Sequence, residues 1–157
     1  MINSVFDFQL KMFEKGADET QRVIAHYDDL IFKVKTITIT LWVAVIGWSI
    51  TINNQTLALI GLVVIFGFWS LGATYRAIQI RYIRKSGEIS NFLNNHKGIV
   101  TAFSQKNIPG GLGYKMGESE DYKTKAEYFV RGYFSPSVFV FYLFLFITNG
   151  FVWAFSY

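Results

Sequence analysis

The stretch Thr36–Tyr75, TITITLWVAVIGWSITINNQTLALIGLVVIFGFWSLGATY, runs for 40 residues without a charge and is broken only by the polar group Asn53-Asn54-Gln55-Thr56. A bilayer core about 30 Å thick needs roughly 20 apolar residues per helix. The arms Thr36 to Ile52 and Leu57 to Tyr75 each just suffice, and the polar residues between them suit a tight turn. The sequence therefore predicts a transmembrane hairpin. A second uncharged block, Ser137 to Tyr157, closes the chain and predicts a third span, with Ser135-Pro136 at its start because proline fits the first helical turn.

Composition points the same way. Apolar residues make up 52% of the chain and the mean hydropathy is +0.29, more apolar surface than an 18 kDa chain can hide from water without lipid or further subunits. The first 35 residues are charged and lack the apolar core of a cleavable signal, so none is expected. With no cysteine, disulfides and thiolate metal sites are excluded.

The charges set an orientation. Five Lys or Arg precede Thr36, none lies in the 53–56 turn, ten lie between Arg76 and Arg131, and none follows Ser137. The positive-inside rule puts the N-terminus and the 76–135 segment in the cytoplasm, and the turn and C-terminus outside. Trp153 and Tyr157 then fall near the outer headgroups. Arg76, Arg81, Arg84 and Lys85 follow the second span at once, where they either contact anionic inner headgroups, each worth about 1 kcal/mol, or simply stop the helix from sliding inward.

The first 35 residues carry a second pattern. Phe6, Leu10, Phe13, Ala17, Thr20, Ile24, Tyr27, Ile31 and Val34 follow steps of four and three along one helical face, and Ser4 with Asp7 suits an N-terminal cap. A single chain has little visible means of covering this stripe, so Phe6, Leu10, Phe13, Ile24, Tyr27 and Ile31 are expected to pair helices within or between subunits. Gly16 and the off-stripe residues Phe8, Met12, Val23 and Phe32 leave two shorter helices as an equal alternative. The second span is expected to continue as a helix carrying Ile78, Tyr82, Ile89 and Phe92, with Arg84 and Glu88 paired, and to end near Asn94–Gly98. A short helix over Ile99–Lys106, a loop over Asn107–Asp121 and a return segment over Tyr122–Phe134 would follow. The expected fold class is thus an all-α integral membrane protein with three transmembrane helices and cytoplasmic helical extensions. Its parts are a cytoplasmic amphipathic segment (1–35), a transmembrane hairpin (36–75), a cytoplasmic annex with a Gly-rich loop (76–135) and a third transmembrane helix (136–157).

Catalytic patterns are missing. The run Gly110-Gly111-Leu112-Gly113-Tyr114-Lys115-Met116-Gly117 lacks the spacing of a phosphate-binding loop and reads as a flexible loop. His26 and His96 stand 70 positions apart without metal-ligand spacing, and Glu118, Glu120 and Asp121 read as a solvated acidic run. No catalytic residue, cofactor site or metal site is nominated, and no enzyme is expected. The spans hold no Asp, Glu, Lys, Arg or His, which counts against an ion-coupled transporter. What they do hold is a stripe of small and hydroxyl residues, Thr36, Thr40, Ala44, Gly47 and Thr51, with a shorter one at Gly67, Ser70 and Thr74. Such stripes let helices approach closely or line a narrow water path in an oligomer. Thr148-Asn149-Gly150 invites the same two readings.

The layout resembles a known class. A cytosolic helix, His26-Tyr27-Asp28-Asp29-Leu30-Ile31-Phe32-Lys33-Val34-Lys35, runs straight into the hairpin at Thr36, and the second span leaves as the basic helix Arg76-Ala77-Ile78-Gln79-Ile80-Arg81-Tyr82-Ile83-Arg84-Lys85. This resembles the SLATT class of small two-span effectors of bacterial antiphage systems, and the small octameric membrane proteins of the RipA type, which add a third span. The resemblance implies a homo-oligomer of the bacterial inner membrane that forms pores or disrupts the bilayer. The expected function is accordingly a homo-oligomeric membrane channel or membrane-disrupting effector. The alternative is a non-conducting scaffold or sensor that docks a cytoplasmic partner. The lipid bilayer and further copies of the chain are the expected partners, and nucleic acid is not.

Overall fold

The computed structural model describes residues 5–109, 112 and 122–155. Five helices follow one another: α1 (Val5–Thr51), α2 (Gln55–Leu93), α3 (His96–Ser104), α4 (Tyr122–Tyr133) and α5 (Pro136–Phe155). There is no strand among the described residues. Three of the helices, α1, α2 and α5, are long and apolar enough to cross a membrane.

At 1.5 Å per residue, α1 is about 70 Å long and α2 about 58 Å, so both outrun a bilayer core. Neither breaks where composition changes. α1 passes through Lys35-Thr36, and α2 through Tyr75-Arg76, without interruption. The alternative of two short helices before Thr36 is not what forms: Gly16 lies buried inside α1, and Thr20 returns its hydroxyl to the Gly16 carbonyl at 2.7 Å.

The polar group in the apolar stretch is indeed the turn. Asn53 takes a left-handed backbone (φ 52°), a conformation asparagine tolerates better than most residues. Asn54 caps α2 by accepting from Thr56 N at 2.9 Å, and Ser49 donates to the Asn54 carbonyl at 2.8 Å. From this turn the two helices run antiparallel and stay in register. Ile46 meets Gly61 near the turn, Tyr27 meets Tyr75, Gln79 Nε2 donates to the Ile24 carbonyl at 3.1 Å, and Phe13 meets Phe92 at the far end.

Beyond that far end the chain folds back. Asn95 caps α3 through Gly98 N at 3.1 Å, so the helix begins at His96, ahead of the expected Ile99. Phe13, Ile89 and Ile108 form a small core there, with Phe6 and Phe92 against it. α4 then returns along α2. Its Gly132 sits where a Cβ would collide with the Ala73 carbonyl and lie 3.0 Å from Ala77 N, so the two backbones touch with nothing between them. Ser135 ends that approach, and its carbonyl accepts from Val138 N and Phe139 N to start α5 behind Pro136.

α5 is apolar all round, but only one face is buried. Val138, Tyr142, Leu145 and Asn149, spaced by four, three and four, lie against α2 and reach α1 through side chains. The main core joins Ile65 with Val138, Tyr142 and Leu145, with Trp42, Phe68, Trp69, Phe141 and Phe146 packed around it.

Candidate functional site

Two polar side chains of α5 fasten the three long helices together. Asn149 is 0% exposed; its Oδ1 accepts from Trp42 Nε1 of α1 at 3.0 Å, and its Nδ2 donates to the Ala58 carbonyl of α2 at 3.2 Å. About two α5 turns nearer the basic end, Tyr142 donates to the Phe68 carbonyl at 3.0 Å, with the Thr38 hydroxyl 3.4 Å away. Each fits over a glycine of α2. A Cβ at Gly61 would lie 2.7 Å from Asn149 Oδ1, and one at Gly72 would lie 3.4 Å from the Tyr142 hydroxyl. Of the two readings of Thr148-Asn149-Gly150, Asn149 is therefore a helix contact inside the chain, while Gly150 faces outward.

The small-residue contact of α2 is thus Ala58, Gly61, Gly72, Ala73 and Ala77, all buried. Gly67 and Thr74 are exposed, and Ser70 is half-buried and accepts from the Tyr133 hydroxyl at 2.6 Å. Two small-residue stripes share α2, and the sequence carries no sign of which one meets a neighbour until α4 and α5 are placed.

On α1 the division is sharper. Thr36, Thr40, Ala44, Gly47 and Thr51 are all exposed, and a Cβ at Gly47 would meet nothing within 4 Å. The threonine hydroxyls turn back on their own helix, Thr36 to the Phe32 carbonyl (3.1 Å), Thr40 to the Thr36 carbonyl (3.0 Å) and Thr51 to the Gly47 carbonyl (2.8 Å). The face that meets α2 and α5 is a different one, carrying Ile31, Val34, Thr38, Ile46 and Ser49.

The stripe nearer the N-terminus behaves in the opposite way. Phe13 and Ile31 are buried, Phe6, Ile24 and Tyr27 are half-buried, and Leu10 is exposed, all within one chain. The partner is the extension of α2 itself, which supplies Ile89 and Phe92 to Phe13 and Tyr75 to Tyr27. The premise that a lone chain lacks the means to cover this stripe does not hold, because α2 continues as far along α1 as the stripe does.

The basic residues after Tyr75 make contacts within the protein, with Arg76 and Arg81 half-buried and Arg84 exposed. Arg76 Nε donates to Ser135 Oγ at 3.0 Å and its Nη1 to Gln79 Oε1, while Gln79, only 1% exposed, is itself held by the Ile24 carbonyl. Arg84 donates to the Tyr128 hydroxyl at 2.9 Å and pairs with Glu88 at 3.4 Å; Arg81 lies over the Tyr128 ring at 6.0 Å. Arg76, Arg81 and Arg84 therefore fasten α4 and the α4–α5 corner to α2, and Lys85 is half-buried beside them. Lys35 joins this collar. Its Nζ donates to the Ser137 carbonyl at 2.6 Å and lies 5.3 Å from the centre of the Phe141 ring. Partial burial, and then the neighbouring Arg76 charge, push the Lys35 ammonium below the usual lysine range.

No family model, curated protein or solved structure matches the chain. Its chemistry has to be read from its own geometry. Among the described residues no group of three or more His, Asp or Glu could hold a metal. The Gly110–Gly117 run, apart from Leu112, lies outside the described residues, as do Ser4, Glu118, Glu120, Asp121 and Tyr157.

Proposed function

We propose that the chain is a three-span membrane protein that assembles from several copies and acts as a channel or membrane-disrupting effector, without enzymatic chemistry. In this reading the basic end of the helices is cytoplasmic, the Asn53-Asn54 turn and the C-terminus are outside, and the membrane is a bacterial inner membrane, as in the SLATT-like antiphage effectors that the layout resembles. The observation that carries it is the exposed Thr36, Thr40, Ala44, Gly47, Thr51 face. The interior of one copy is filled by Trp42, Ile65, Tyr142 and Leu145, so a water path has to run between copies. Thr36 to Thr51 supplies what such a path or a close subunit contact requires: small side chains and hydroxyl oxygens that can still accept a bond from water or a neighbour.

The test is Gly47→Leu. Gly47 is exposed and, its chain neighbours apart, a Cβ there meets nothing within 4 Å, so the substitution should leave one copy intact and report on what lies outside it. Purified protein in liposomes should lose ion flux if the face lines a path. A fall in assembled particles would instead make the face a subunit contact. Equal flux and equal assembly would refute both and leave it facing lipid.

A second reading rests on a separate observation. The far tip exposes Val5 (78%), Phe8, Leu93, Val100 and Phe103, an apolar surface well away from the three apolar segments. A non-conducting scaffold that docks a cytoplasmic partner there would show no flux, and Phe103→Asp with Val100→Asp would abolish docking while leaving assembly unchanged.

A further inference from the structure

We propose that Lys35 and Arg76, together with the hydroxyls of Ser135 and Ser137, bind the phosphodiester of an anionic lipid in the inner leaflet. The proposal rests on the membrane reading above, and it concerns a place where three separate helices change character at one level. Apolar α1 begins at Thr36, apolar α2 ends at Tyr75, and α5 begins at Pro136. A cation from each of the first two meets the start of the third. Lys35 Nζ is bonded to the Ser137 carbonyl at 2.6 Å, Arg76 Nε to Ser135 Oγ at 3.0 Å, and the two serine hydroxyls lie 3.4 Å apart.

Neither cation forms an ion pair with a described carboxylate. Two other basic residues nearby do, Lys33 with Asp29 at 2.7 Å and Arg84 with Glu88 at 3.4 Å. The two like charges are brought together and partly withdrawn from water; burial first, and then the Arg76 charge, lowers the Lys35 basicity. The positive end of the α5 dipole adds to the same field. An anion is the missing component. Gln79 and Ser135 occupy Arg76 Nη1 and Nε, which fixes the plane of the guanidinium and leaves Nη2 for a ligand oxygen. Lys35 brings a point charge from the opposite helix, and the serine hydroxyls can donate to a second oxygen. A phosphodiester supplies one negative charge and two unesterified oxygens, and guanidinium is the side chain best shaped to grip it. The Phe141 ring beside Lys35 lies where the acyl chains of such a lipid would start.

The experiment uses the full chain extracted from membranes in mild detergent. Alkaline carbonate washing comes first: release of the wild-type chain from membranes would end the membrane reading before any lipid is tested. Native mass spectrometry then compares retention of phosphatidylglycerol, phosphatidylcholine and inorganic phosphate. Wild type should prefer phosphatidylglycerol, and the Lys35→Gln/Arg76→Gln variant should lose about thirtyfold of that affinity, from about 1 kcal/mol per basic residue. Lys35→Arg should keep the preference, as should Lys97→Gln, an exposed lysine on α3. An unchanged preference in the double variant would overturn the proposal. So would wild type that does not distinguish the two lipids, a result independent of whether the variant folds. Displacement of the lipid by inorganic phosphate at equal concentration would also overturn it, by showing a free-phosphate site.

Discussion

Asn149→Leu isolates the contact that holds α5 in place. The substitution keeps the branched heavy-atom skeleton of the side chain, though methyls are bulkier than the amide atoms, and removes an acceptor and a donor from a site that is 0% exposed. Polar bonds between helices in membrane proteins contribute about 0.6 kcal/mol on average and at most about 1.7, so the bonds to Trp42 Nε1 and the Ala58 carbonyl together give about 1 to 3 kcal/mol. The two partners do not lose equally. Ala58 sits inside α2, where its carbonyl keeps an intrahelical bond, whereas Trp42 Nε1 is left with no acceptor, which adds about 1 to 3 kcal/mol. Trp42 is half-buried, which places this second contribution at its low end. The expected net loss is about 2 to 4 kcal/mol, read from unfolding of the protein in mixed micelles with increasing dodecyl sulfate, followed by helical circular dichroism. The decisive step is a double-mutant cycle with Trp42→Phe. Distant sites add within about 0.3 to 0.5 kcal/mol, so a coupling energy below that range would mean that Asn149 and Trp42 do not act as a pair, and the account of α5 docking would fail.

Three further outcomes follow from the same geometry. Gly132→Ala should destabilise the α4–α2 contact by about 1 to 3 kcal/mol through overpacking, because the new methyl meets the backbone of Ala73 and Ala77; unchanged stability would show that α4 does not lie on α2. Phe13→Asp should expose the far tip to protease without dissociating copies, since Phe13 is buried against Ile89 and Ile108 of its own chain, and smaller particles on gel filtration would restore the stripe as a subunit contact. For orientation, Asn54→Cys should react with a membrane-impermeant thiol reagent in intact cells and Lys123→Cys should not, with the reverse pattern inverting the topology.

The length and type of the elements were legible because they depend on local rules. An uncharged run of span length, an Asn-rich interruption and a proline after a serine each constrain the backbone within a few residues, and the turn at Asn53-Asn54 and the start of α5 at Pro136 follow. Which face of each helix meets which neighbour was not legible. α5 is apolar on every side, so no periodicity separates Val138, Tyr142, Leu145 and Asn149 from the exposed Val140, Phe144, Ile147 and Phe151. On α2, Gly61 and Gly72 look no different from Gly67 in sequence; the first two are buried because Asn149 and Tyr142 arrive over them. The stripe from Phe6 to Ile31 was visible, but its cover lay some 50 to 80 positions further along, in an extension whose own apolar residues Ile89 and Phe92 are sparse. The meeting of Lys35 with Ser137 and of Arg76 with Ser135 was not legible for the same reason, since only the fold brings residues so far apart to one corner.

The division of α1 into two faces limits where another molecule can attach. One face, from Phe13 through Ile31 and Val34 to Ile46 and Ser49, is closed by α2 and α5 along nearly the whole helix. The other face bears the threonines, Ala44 and Gly47 between exposed Ile37, Val43, Trp48 and Ile50. In lipid, hydroxyls already bonded to their own helix are tolerated without a partner, so their exposure alone does not demand a second copy. Within a helix a glycine is less favourable than alanine by about 0.5 to 1 kcal/mol, and at Gly61 and Gly132 the fold uses the missing side chain for close approach. At Gly47 nothing inside the chain makes that use of it. Gly67 and Gly150 stand equally open, so a missing side chain does not by itself demand a neighbour. In the proposed reading another helix or a column of water would approach Gly47 from outside, which is what the Gly47→Leu experiment tests, whereas the same change at Gly61 would report only on folding.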